Sequence, residues 1–233
     1  LIEAHESLAA VYYLFEWDLK NGKKHLKRAL ELNPGYAWAY FHLGNIYMWQ
    51  TEFDEAIKAL QKAMDLDPLN VAFHRNLGEA YLYAGQLDRA IDVLKRAIEM
   101  DPTFVLTHVL LGQVYMRKKM YDEALMVIKK DTLKKTSKDL LIGTVYALME
   151  KKEEASKILE KYTELSKTDV VPLYGMAQLC FALAEDDLGF EWLERAYQDH
   201  DVWVSWVKTD FLLERVRGDP RYTAFLNKMN QKN

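Results

Sequence analysis

Apolar residues recur three and four apart along almost the whole chain, the spacing of helices that bury one face. A longer period lies over this one. Pro34, Pro68 and Pro102 fall 34 residues apart, and the two blocks between them share a frame. The block 37–70 carries Tyr40, Leu43, Gly44, Tyr47, Ala56, Leu60, Ala63 and Pro68. The block 71–104 carries His74, Leu77, Gly78, Tyr81, Ala90, Leu94, Ala97 and Pro102 at the same places. Each block predicts two antiparallel helices, A and B.

Every place in the frame has a mechanical reason. Gly44 and Gly78 remove a side chain where helix A meets helix B and let the backbones approach. Ala56, Ala63, Ala90 and Ala97 keep helix B narrow at its crossings, while Tyr47 and Tyr81 fill the wedge between helices with a stiff ring. Pro68 and Pro102 cannot continue a helix interior and close helix B.

Weaker copies extend the frame. Upstream, 3–36 has Ala10, Tyr13, Gly22, Leu26, Ala29 and Pro34 in register. Downstream, 105–135 has Leu111, Gly112, Tyr115, Ala124 and Ile128 but is about three residues short, with Asp131 in place of the small residue and no proline. A change of curvature is expected at that join. Then 136–169 restores the frame with Ile142, Gly143, Tyr146, Ala155 and Leu159. The block 170–203 follows with Met176, Ala177, Cys180, Gly189, Leu193 and Ala196. The segment 204–233 predicts a cap, with Asp219-Pro220 opening a last helix that buries Tyr222, Phe225, Leu226 and Met229.

These residues resemble the tetratricopeptide repeat (TPR) family over essentially the whole chain. The resemblance implies an all-α fold, a right-handed superhelical solenoid of six helix pairs with a C-terminal capping helix. A narrower likeness lies at the two ends. Tyr12 to Leu19 running on to Lys27–Pro34, and Phe190 to Tyr197 followed by Asp210-Phe211 and Arg217 to Tyr222, resemble TPR regions at the C-termini of bacterial multidomain regulators. There such arrays follow winged-helix, cyclase or kinase domains. The chain opens at Leu1 in an apolar helical pattern, and we read it as a piece of a longer protein.

In the family, five places on each helix A line a concave groove for a peptide or protein segment. Here the resemblance assigns Trp38, Phe41, Asn45, Met48 and Trp49, then Arg75, Glu79 and Tyr83 with Ala72 and Leu82. From the next block it assigns Gln113, Met116 and Arg117 with Leu106 and Val109. Polar groups would fix the register of the bound segment and the aromatics would supply buried area. The alternative is a small-ligand sensor or a self-association element that makes a homodimer of a transcriptional or signalling regulator.

The family's carboxylate clamp needs Lys, Asn, Asn, Lys and Arg. The matching places hold Phe41, Asn45, Asn76, Leu106 and Leu110, so both asparagines are present and all three cations are missing. A frame one block earlier, with Ser7, Val11, His42, Ala72 and Asn76, fits worse. Without those charges the chain is not expected to grip a C-terminal carboxylate.

Composition removes other classes. Half the residues are hydrophobic, 28% are charged and the net charge is −4, so no basic field points to nucleic acid or an anionic membrane. Lys129, Lys130, Lys134, Lys135 and Lys138 form the one basic run, expected at a solvated helix end. His74 and His108 occupy equivalent places and His42 lies one off, yet neighbouring helices stand about 8–10 Å apart, too far for easy shared ligation. Cys180 alone permits no disulfide within the chain and fits a cytoplasmic location. No phosphate loop, nucleophile elbow or Cys/His pair is present, so neither catalysis nor a cofactor is expected.

Overall fold

The computed structural model describes residues 1–16, 18–130 and 135–230. Its helices are α1 (Ile2–Leu14), α2 (Leu19–Leu32), α3 (Ala37–Trp49), α4 (Phe53–Leu66), α5 (Val71–Tyr83), α6 (Leu87–Met100) and α7 (Val105–Arg117). There follow α8 (Tyr121–Ile128), α9 (Lys135–Leu148), α10 (Lys152–Leu165), α11 (Leu173–Leu183), α12 (Asp186–Gln198) and α13 (Pro220–Asn230). Two 3₁₀ turns, Val202–Trp206 and Phe211–Val216, precede α13, and no strand occurs among the described residues. Consecutive helices pack as pairs, α1 with α2, α3 with α4, α5 with α6, α9 with α10 and α11 with α12.

The chain forms two compact units, Leu1–Leu111 and the residues from Gly112 onward. In the first, the alternation of glycine and leucine closes each pair. A Cβ on Gly44 would lie 2.5 Å from Leu60 Cγ, and one on Gly78 2.5 Å from Leu94 Cγ. Leu60 and Leu94 are fully buried, so glycine is the residue that lets α3 and α5 reach their partners. A Cβ on Gly22 would lie 3.3 Å from Ile46 Cδ1 and from Tyr13 Cβ, so this glycine seats α2 against α1 and α3.

Tyr40, His74 and His108 share one place near the start of helix A, and two of them reveal its use. The Tyr40 hydroxyl donates to the Pro34 carbonyl at 3.2 Å, and His74 Nε2 donates to the Pro68 carbonyl at 2.8 Å. These bonds tie helix A to the proline turn before it, and the His74 imidazole is thereby committed to the fold.

In the second unit, α8 spans 8 residues where α4, α6 and α10 each span 14, yet Ile128 still fills the place of Leu60 beneath Gly112. Asp131 and Lys134, singled out at this join, lie outside the described residues. Lys129, Lys130 and Lys135 are exposed around it. Helix α11 starts at Leu173, three residues into its block, because Pro172 stands at its N-cap. The core here gathers Met176, Leu179, Phe181, Trp192, Leu193, Leu213, Tyr222 and Phe225.

Buried Asp210 ties the cap to α11. It accepts from the Tyr174 hydroxyl at 2.8 Å, Gln178 Nε2 at 2.7 Å and the Leu212 amide at 2.9 Å. Helix α13 opens at Pro220 with Asp219 accepting from the Arg221 amide, and its apolar face, Tyr222, Phe225, Leu226 and Met229, packs on this core.

Candidate functional site

Helices α3 and α5 bring together most of the residues that the sequence singles out. Trp38 and Phe41 lie one turn apart on α3 and meet edge to face with ring centres 5.2 Å apart. Both rest on Phe73 of α5, at 5.0 and 5.2 Å. Phe73 is fully buried, while Trp38 keeps 39% of its surface exposed. The result is a stiff aromatic platform anchored in the core and open on one side. Trp49 packs against Tyr13 of α1, centre to centre 5.4 Å.

A chain of polar contacts runs beneath this platform. His42 Nε2 pairs with Glu6 Oε1 at 2.8 Å, so Nδ1 accepts from the Tyr13 hydroxyl at 2.8 Å. Burial holds the His42 imidazole below its usual pKa, against the opposing pull of Glu6, and pushes the Tyr13 hydroxyl up to about 12. Asn76 donates to Asn45 at 2.7 Å, Arg75 donates to Asn76 at 2.8 Å, and Arg75 pairs with Glu79 at 2.9 Å. Glu79 is buried, which raises its carboxyl above the ordinary range, while Arg75 and the Tyr83 hydroxyl oppose that rise.

This geometry redistributes the predicted roles. Asn45, Arg75, Glu79 and Tyr83 do converge, and most of their polar atoms are spent within this cluster and on Asn76, although Arg75 Nε is buried without a hydrogen-bond partner. The two asparagines of the would-be carboxylate clamp are hydrogen-bonded together. Met48 and Met116 are buried and offer no area to a ligand. Trp38 and Phe41 remain as the apolar contact surface, with the edges of Asn45 and Arg75 beside them. On α7 the second unit holds Gln113, half-buried, and Arg117, which lies 3.6 Å from Glu214 of the cap. Sequence reasoning missed the roles of Glu6, Tyr13 and Phe73 here. The only available signal was that Phe73 follows Trp38 by one repeat plus one residue.

Further surface features carry less chemistry. A cleft of about 390 Å³ over α5 is lined by Gln61, Met64, Tyr81, Arg89 and Arg96 among others, with Gln61 already bonded to the Tyr81 hydroxyl. Among the described residues no group of three or more His, Cys, Asp or Glu is arranged to hold a metal ion. No described helix is long and apolar enough to cross a membrane.

Comparisons with known proteins agree with the fold. Family models described as "Tetratricopeptide repeat" match residues 18–70, 43–103, 81–137 and 140–169, well over half of the chain. A search of curated proteins found no significant match. Among solved structures, a TPR protein from Parabacteroides merdae is 16% identical with a TM-score of 0.65, covering 100% of this chain and 93% of its own. A thermophilic TPR protein from Thermus thermophilus is 22% identical with a TM-score of 0.63, covering 79% of this chain and 100% of its own. YrrB, described as a TPR protein with an unusual peptide-binding site, is 21% identical with a TM-score of 0.53, covering 80% of this chain and 89% of its own. At these identities the likeness speaks for the fold.

Proposed function

The chain belongs to the tetratricopeptide repeat family, and we propose that it serves as a protein-interaction module that grips a peptide or protein segment on the face of α3 and α5. The observation that carries this reading is Trp38, half open to water yet fixed against Phe41 and buried Phe73. A rigid aromatic that is already ordered loses little entropy on binding, which is what makes such residues anchors. The partner is therefore a segment with an apolar side chain to lay on the indole. Polar groups at the edge of the platform set its register.

The module itself performs no chemistry in this reading. Its effect is regulatory or scaffolding: occupancy of the face is passed to an output domain of the kind found in bacterial multidomain regulators, in the cytoplasm. YrrB offers a precedent among proteins of this fold for peptide binding.

Selection of a displayed peptide library against the protein tests the proposal. Enriched peptides should share an aromatic or large aliphatic residue, and Trp38→Ala should weaken them by about 2 kcal/mol, roughly 30-fold. A surface Lys62→Ala control should bind like the parent. Failure to enrich any sequence, or peptides indifferent to Trp38→Ala and Phe41→Ala, would remove α3 and α5 as the site.

A further inference from the structure

The cleft of about 390 Å³ over α5 shares no residue with the aromatic platform and has a chemistry of its own. Buried Leu77 and Val93, with half-buried Met64, give it an apolar base. Arg89, Asp92 and Arg96 edge it from α6, at steps of three and four that keep all three on one face of the helix. A recess of this volume, apolar at its base and edged by a few polar groups, has the dimensions of a small-molecule site.

One repeat earlier the same places are filled differently. Tyr40 stands where His74 does, and Lys23, over the Tyr47 ring at 4.2 Å, stands where Ile57 does. Tyr40 and His74 both bond the carbonyl of the proline before them, so histidine keeps that tie with a smaller ring and leaves volume free. In the earlier repeat Lys58 pairs with Glu55 at 2.7 Å. Asp92 and Arg89 take their places, and Arg89 turns instead to Gln86 Oε1 at 3.0 Å and to the Tyr81 ring, whose centre lies 5.7 Å away. Two polar groups of the base are unspent. The Tyr81 hydroxyl accepts from Gln61 Nε2 at 2.8 Å, so its own proton is left for an acceptor in the cleft. His74 commits Nε2 to Pro68, and its Nδ1 is buried without a hydrogen-bond partner.

We propose that this cleft binds a small amphipathic anion, an apolar body carrying one carboxylate. The body lies on Leu77, Val93 and Met64, where it covers apolar surface. The carboxylate takes the proton of the Tyr81 hydroxyl and the guanidinium of Arg89 beside the same ring, a charge-assisted contact that a neutral molecule cannot make. Arg96 offsets Asp92, so the rim as a whole keeps a positive charge and favours an anion.

Fluorescence titration of the 233-residue chain with anilinonaphthalene sulfonate, an apolar body bearing one anionic group, tests this. The probe should bind one to one with a Kd on the order of tens of micromolar, and decanoate should displace it at concentrations about tenfold below those of decanol. Arg89→Gln and His74→Tyr should each weaken the probe about tenfold, the first by removing the charge and the second by filling the cleft. Arg89 is exposed, and a tyrosine in the place of His74 can keep the bond to the proline turn as Tyr40 does, so both variants should melt like the parent. Trp38→Ala should bind the probe unchanged, which separates this site from the platform. Absence of binding overturns the proposal, as does a folded variant of either kind that binds like the parent, or loss of the probe on Trp38→Ala. Equal affinity for the neutral N-phenylnaphthylamine, or equal displacement by decanol, also overturns it, since the cleft would then be an apolar recess without selection for charge.

Discussion

Thr51, Gly85, Lys119, Glu150 and Ala184 all adopt a left-handed backbone, with φ between +60° and +74°. Each sits in the short turn that carries helix A into helix B, so one conformation recurs in five repeats although only one of them uses glycine. For an L residue that conformation costs about 1–2 kcal/mol, and a β-branched threonine fits it worst. Thr51→Gly should therefore stabilise the protein by about 1 kcal/mol, and Gly85→Ala should destabilise it by a similar amount. Urea melts of the two variants check this, and shifts of the same sign would refute it. Only Gly85 is of a residue type that marks a positive φ; the other four carry no such mark, so the recurrence was not legible in the sequence.

Asp210 supplies a second residue-scale expectation. Burial raises its carboxyl above the ordinary range, outweighing the hydrogen bonds from Gln178, Leu212 and Tyr174. The folded state therefore binds a proton more tightly than the unfolded chain does. Its contribution improves as pH falls through the folded pKa toward the unfolded value, and is least favourable at neutral pH. Asp210→Asn cannot titrate. The stability difference, parent minus Asp210→Asn, should grow as pH is lowered from 7 toward 4, whatever its absolute size. Denaturant midpoints measured in parallel would show it, and a difference that shrinks in acid would contradict the sign.

At the scale of helices, the pairing was legible because glycine and alanine at fixed places leave room that only close packing can fill. Gly78→Leu drives a side chain into Leu94, where even a Cβ would approach within 2.5 Å, and should cost about 1–3 kcal/mol. Lys62→Ala, on the exposed side of α4, should change little. Equal melting of the two variants would mean that α5 and α6 can part without penalty. What the pattern could not convey is where polar side chains spend their hydrogen bonds. Arg75 and Glu79 stand at helical i,i+4 spacing, but Asn45 and Arg75, at the places of groove residues, both bond Asn76 of α5, and the Asn45–Asn76 pairing across helices is one that periodicity does not encode. For the same reason His74 gave no sign of its bond to Pro68, and α11 begins later than its frame because Pro172 takes the N-cap.

Across the whole molecule, the two compact units divide within α7, between Leu111 and Gly112. The repeat pattern gave no hint of that division, since Leu111-Gly112-Gln113 match the frame as well as Leu77-Gly78-Glu79 do. The second unit has a distinctive core. Its cluster runs from Leu140 to Phe225 and includes the aromatic residues Tyr162, Tyr174, Phe181, Trp192 and Tyr222. Asp210 joins α11 to the 3₁₀ turns, and Arg215 reaches back to Asp186 at 2.7 Å to hold the start of α12. Every residue of that cluster lies beyond the join at 131–134, so a fragment spanning 135–233 keeps this core while giving up the cover that α8 lends to α9 and the Arg117–Glu214 contact. Such a fragment should be helical and unfold in a single cooperative transition, with a lower melting temperature than the intact chain, because stability in an array is a sum of repeat and neighbour terms. Circular dichroism during heating and in urea reads both properties. A helical signal that decays without a sigmoidal transition would show that α9 to α13 depend on the repeats before them, and the cluster would then be a continuation of the array's core.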